Sequence, residues 1–98
     1  MEERKSAFES PENDALFDAV LSLQTREECY RFFEDICTIA ELKSIAQRLS
    51  VAKMLRQGVT YNEISERLGA STATISRVNR ALSYGAGGYQ IALERMED

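Results

Sequence analysis

Thr60-Tyr61-Asn62-Glu63-Ile64-Ser65-Glu66-Arg67-Leu68-Gly69-Ala70-Ser71-Thr72-Ala73-Thr74-Ile75-Ser76-Arg77-Val78-Asn79-Arg80 is the stretch that decides the fold. A threonine followed three residues on by a glutamate is a capping box, and it opens a short helix expected to reach about Leu68. Gly69 then breaks the helix, because glycine takes the positive φ that a tight turn requires. Ser71 or Thr72 caps the next helix, expected to end near Ser83. Two short helices meeting at a steep angle need an inward apolar residue, a small residue where they cross, a turn glycine and two more inward apolar residues about one turn apart. Ile64, Ser65, Leu68, Gly69, Ala70, Ile75 and Val78 meet those needs in order. The segment reads as a helix-turn-helix over residues 60–83.

An ordinary helical hairpin would satisfy the inward positions and require nothing of the outward ones. Here the outward residues are Ser71, Thr72, Ala73, Ser76, Arg77 and Arg80, with Thr74 a further candidate DNA contact, and no acidic residue occurs from Gly69 to Leu82. Small residues let a helix N-terminus approach a groove floor. Hydroxyls serve base edges or phosphates, a methyl meets the thymine methyl, and arginine bonds guanine bidentately. The pattern points to major-groove recognition of double-stranded DNA. Lys53, Arg56 and Arg67 lie outside the second helix and are expected to contact phosphate.

The rest of the chain also reads as helix. Ser10-Pro11 supplies a cap and a first-turn proline, and Leu16, Phe17, Val20, Leu21 and Leu23 follow as one apolar stripe. Residues 1–10 are polar and expected to be disordered. Thr25 with Glu28 forms a second capping box ahead of Cys29, Phe32, Phe33 and Ile36, and Thr38 with Glu41 forms a third. The third box opens the longest helix, to about Gln57, with Gly58 placed to take the left-handed position after it. Its apolar residues Leu42, Ile45, Ala46, Leu49, Ala52 and Leu55 keep helical spacing, while Val51 and Met54 lie off that stripe and mark a second covered face. A flexible link at 84–88 leads to a final helix from Tyr89 to Met96. No segment alternates with period two. The expected fold is all-α, six helices in a single domain, with residues 11–57 for dimerisation, 60–83 as the helix-turn-helix and 89–97 as a C-terminal helix.

Net charge is −4 over 98 residues, but its distribution is uneven. Met1–Leu42 holds eleven acidic and four basic residues, whereas Lys43–Leu82 holds seven basic and two acidic. Charges beyond a Debye length of roughly 10 Å are largely screened, so DNA responds to the local face rather than to the total. There is no histidine, which removes nucleophile–histidine pairs and histidine zinc sites. No catalytic residue, metal site or cofactor is expected, and the chain is not read as an enzyme. Without a long apolar run or an apolar stretch behind Met1–Lys5, neither a membrane span nor a signal peptide is expected. Cys29 and Cys37 lack metal or redox spacing and are expected to be reduced and buried in a cytoplasmic protein.

The segment Glu41–Leu82, through Gly58, Leu68-Gly69-Ala70 and Ala73-Thr74-Ile75-Ser76-Arg77, resembles the Trp repressor. The tracts Glu28–Thr38 and Ala70–Arg77 are similar to its relatives, the YerC/YecD family of Trp repressor-like proteins, and that resemblance covers about Asp14 to Glu94. It implies an intertwined homodimer acting as a transcriptional regulator, in the repressor role, without naming operator or regulated genes. It also implies a candidate effector pocket. In the Trp repressor the indole lies between two arginines. Arg48 and Arg77 match those positions, and Thr38 matches a residue near the bound amino acid. The glycine that follows the second arginine there is Val78 here, and Ala81 replaces a hydroxyl near the ligand's polar end. The resemblance therefore argues against tryptophan as effector, since the valine side chain intrudes where the ring would lie. A protein–protein adaptor using the acidic N-terminal half, and a regulator gated by another ligand, remain open as alternatives.

A ligand at a hundred times its dissociation constant stabilises a single site by about 2.7 kcal/mol. Thermal melts with millimolar L-tryptophan are expected to show no such shift; a clear rise, confirmed by calorimetric titration to one site per chain, would make tryptophan the effector.

Overall fold

The computed structural model describes residues 6–97, and among them the secondary structure is helical throughout. Six helices follow one another: α1 (Pro11–Ser22), α2 (Arg26–Ile36), α3 (Ile39–Arg56), α4 (Tyr61–Leu68), α5 (Thr72–Tyr84) and α6 (Gly88–Met96). The all-α expectation holds, and helix ends fall within a residue or so of those read from the caps. None of these helices is long and apolar enough to cross a membrane. The expected disorder over 1–10 falls in part on residues 1–5, which lie outside the described residues. Residues 6–10 form a turn in which the Glu9 amide bonds the Ser6 carbonyl.

The chain divides into two compact units, residues 1–38 and 39–98. In the first, Ser10 caps α1 by accepting from the Asn13 amide at 3.0 Å, with Pro11 at the first helical position. Thr25 caps α2 by accepting from the Glu28 amide at 3.0 Å, and the Glu28 carboxylate reaches back to the Gln24 amide at 2.8 Å. Phe32 and Phe33 are half-buried and meet edge to face, 5.4 Å between ring centres. No residue of α1 or α2 is fully buried, and Leu21 is 81% exposed. The expected burial of the cysteines is corrected: Cys29 is exposed and Cys37 half-buried, both as free thiols. Cys29 lies on α2 and Cys37 is its C-cap, on a helix that buries no residue fully.

The second unit has a core. Val51 and Ala52 of α3, Ile64 of α4, Ala70 of the turn, Ile75 and Val78 of α5 and Leu93 of α6 are buried together. Leu49, Met54, Leu55, Val59, Leu68, Leu82 and Tyr89 pack around them. Helix α3 is the platform, packing along α5, against α4 and against α6. It ends in a Schellman arrangement: the Val59 amide bonds the Met54 carbonyl, the Gly58 amide bonds that of Leu55, and Gly58 takes φ +82° as its position requires. The sequence stripe on α3 is only partly the buried one. Val51, off that stripe, is fully buried, whereas Ile45 on it is 52% exposed.

Side-chain amides tie the helices at their ends, where carbonyls lack intrahelical partners. Gln47 Nε2 on α3 donates to the Leu68 carbonyl at 3.2 Å, and Gln90 Nε2 on α6 donates to the Leu82 carbonyl at 2.6 Å. Replacing Ile75 by alanine in this packed site is expected to cost about 2–5 kcal/mol, measured as a lowered urea midpoint at unchanged slope. A loss below about 1 kcal/mol would show that Ile75 is not central to the core.

Candidate nucleic-acid interface

The geometry of the helix-turn-helix follows from its caps and its buried face. Thr60 accepts from the Glu63 amide at 3.2 Å and starts α4. Gly69, at φ +69°, stops it and bonds the Ser65 carbonyl at 2.8 Å. Ser71 is the N-cap of α5: its hydroxyl oxygen accepts from the Thr74 amide at 3.1 Å and also lies 3.1 Å from Thr74 Oγ1. With Ile75 and Val78 turned into the core, the 3.6-residue period turns Thr72, Ala73, Ser76, Arg77 and Arg80 outward, and all five are exposed. Thr74 is half-buried beside the cap.

Ala73, Ser76, Arg77 and Arg80 line one open groove along α5, together with Asn79, Ser83 and Tyr84. The last three were not among the residues singled out from sequence. The signal was there, because Ser83 and Tyr84 continue the same helical row as Ala73, Ser76 and Arg80. Tyr84 is 87% exposed at the end of the row. Neither Arg77 nor Arg80 forms an ion pair among the described residues.

The basic residues outside α5 are placed differently. Lys53 and Arg56 line a shallow cleft of about 280 Å³ with Gln57, Leu93, Met96 and Glu97, and Arg56 Nη2 lies 3.7 Å from Glu97 Oε2. Arg67 is exposed and bonded to Glu63 one turn back on α4. The residues proposed around an effector fall on both units. Thr38 ends the first unit and is exposed, Arg48 is half-buried on α3, and Ala81 is half-buried on α5. Val78 is 1% exposed and part of the core, while its neighbour Arg77 faces out.

A family model described as Trp repressor protein matches residues 12–97, which is nearly the whole described chain. The chain belongs to the Trp repressor family. This family member is 59% identical over 87 residues to YerC, an uncharacterized protein of Bacillus subtilis (strain 168), with 89% of this chain and 84% of YerC covered. Its fold matches a crystal structure of a candidate Trp repressor from Staphylococcus aureus at a TM-score of 0.87 and 55% identity, covering 90% of this chain and 88% of that one. It also matches a TrpR-like protein from Eubacterium eligens ATCC 27750 at a TM-score of 0.86 and 55% identity, covering 89% and 90% of the two chains. The resemblance read from Glu28–Thr38 and Ala70–Arg77 is thus confirmed at the level of family and all-α fold.

Proposed function

We propose that this Trp repressor family member is a sequence-specific DNA-binding transcriptional regulator, acting as a homodimer and repressing by occupying its operator. The observation that carries the reading is the outward face of α5. Among the described residues Arg77 and Arg80 form no ion pair, and they line one groove with Ala73 and Ser76 on a helix whose opposite face is locked into the core. The B-DNA major groove, about 12 Å wide, admits an α-helix, and arginine reads guanine there through two hydrogen bonds. Ser71, Thr72 and Thr74 at the start of α5 offer hydroxyls to base edges or phosphate, and the helix N-terminus itself favours phosphate. Lys53, Arg56 and Arg67 supply phosphate contacts.

The dimer is supported by what the chain leaves uncovered. Leu21 at 81%, Ile39 at 89%, Phe17 at 54% and Ile45 at 52% exposure are large apolar side chains on the N-terminal half. Helices α1 and α2 bury no residue fully, and an element that buries little apolar surface is not stable alone. A second copy of the chain supplies the missing cover, giving one domain shared between two subunits. Free tryptophan does not fit this reading, because Val78 is committed to the core and Thr38, Arg48, Arg77 and Ala81 are left as a candidate pocket for another effector.

Sedimentation equilibrium at micromolar concentration is expected to give a dimer, and Leu21→Lys to shift it toward monomer. A wild-type monomer near 11.1 kDa would exclude the shared core. Two recognition helices are then expected about 34 Å apart, one turn of B-DNA. Selection of bound genomic fragments supplies an operator. On it, Arg77→Ala is expected to cost about 1–3 kcal/mol and relax one base position, and Thr72→Ala likewise to alter preference. Lys53→Ala is expected to weaken operator and random duplex alike with a flatter salt dependence. Equal losses on both duplexes for Arg77→Ala would remove it as a base reader.

A further inference from the structure

We infer that Glu63 and Glu97 compete with DNA phosphate for Arg67 and Arg56, and thereby limit the grip of the protein on any duplex. The inference rests on the DNA-binding reading above and adds to it two acidic residues that set affinity without touching bases. It starts from a contrast within the second unit. The two arginines of α5 that face outward carry no ion pair among the described residues, whereas both arginines proposed to hold phosphate from outside α5 are held by carboxylates. Arg67 is bonded to Glu63 on α4. Arg56, at the end of α3, faces Glu97, which follows α6, across the cleft that Lys53 also lines.

A Glu–Arg pair one turn apart stabilises an isolated helix slightly, and the α4 pair alone would mean no more than that. The Arg56–Glu97 pair is not local. It joins the ends of two helices, and so places a second carboxylate on a second candidate phosphate contact. All four side chains keep solvent access, with Arg56 the most covered at 31% exposure, which leaves both pairs weak and exchangeable. Phosphate therefore displaces the carboxylate rather than being shut out by it.

The exchange has a thermodynamic signature. A bare arginine that neutralises a phosphate releases condensed cations, and log affinity falls against log salt by about 0.9 for each contact. An arginine that must first leave a carboxylate releases the same cations, but the freed carboxylate attracts a cation back, which offsets part of the gain. The freed carboxylate also stays close to the phosphate and repels it. Both effects act on backbone contacts, so they lower affinity for operator and random DNA together. The ratio of specific to non-specific affinity is left unchanged, so the pairs set overall affinity and not sequence preference.

The test titrates wild type, Glu63→Gln, Glu97→Gln and the control Glu66→Gln with a random-sequence duplex across a salt series, with thermal melts to check folding. Glu66 lies next to Arg67, is exposed and forms no ion pair among the described residues, so its replacement removes the same charge without releasing an arginine. Glu63→Gln and Glu97→Gln are each expected to tighten binding about two- to five-fold, the range that exposed ion pairs span. Each is also expected to steepen the salt slope by up to about 0.9, beyond any change from Glu66→Gln. In an Arg67→Ala background, Glu63→Gln should give no more than the control. Gains equal to the control, or an undiminished gain without Arg67, would overturn the inference while leaving the DNA-binding reading intact. A folded wild-type chain that bound no duplex at low salt would overturn both.

Discussion

The packing of Ile64, Ile75 and Val78 against Val51 and Ala52 is the interaction on which the rest of the second unit depends. Helix α4 has eight residues, well below the length at which a helix persists in water by its own hydrogen bonds. It exists because Ile64 is buried on α3 and because Thr60 and Gly69 close its two ends. Helix α5 is longer, but its rotation about its own axis is set by the same core. Ile75 and Val78 one turn apart leave a single phase in which both are covered, and that phase determines which side chains meet solvent.

The candidate recognition surface is therefore a by-product of core packing. Once Val78 is inside, Arg77 must point away from it, and Ala73, Ser76 and Arg80 align with Arg77 along one groove. A valine at this position serves the core, so the space it takes is not left for a ligand. The same logic separates the arginines by environment. Those on α5 belong to a stretch of sequence without a carboxylate, Gly69–Leu82, whereas Arg67 has Glu63 one turn back on its own helix and Arg56 meets Glu97 where two helices end. The overall charge of −4 conceals this division, because it is dominated by the acidic N-terminal residues.

The first unit behaves differently. Its helices are as well capped as those of the second, by Ser10 and Thr25, yet none of their residues is fully buried. Caps and propensity define where a helix begins; they do not supply the apolar cover that holds it in place. The exposed leucine, phenylalanine and isoleucine side chains are the physical basis for the proposed core shared with a second copy, and Cys29 is exposed as well.

Much of this was legible from the residues alone. Capping threonines and serines with their partners three positions on set the starts of α1, α2, α4 and α5, and Gly58 and Gly69 set two of the ends, because these are local hydrogen-bond and φ requirements. The inward pair Ile75 and Val78 followed from spacing, and the outward arginines from the same period. What tertiary structure alone decided was which apolar positions of α3 would be covered, since Val51 off the stripe and Ala52 on it are buried while Ile45 on it is exposed, and only packing distinguishes them. It also decided that Gln47 and Gln90 would satisfy the carbonyls of Leu68 and Leu82, and that Glu97 would reach Arg56. Those contacts join residues far apart in the chain, where periodicity carries no information, and they form only once the helices have been brought together by the burial of their apolar faces.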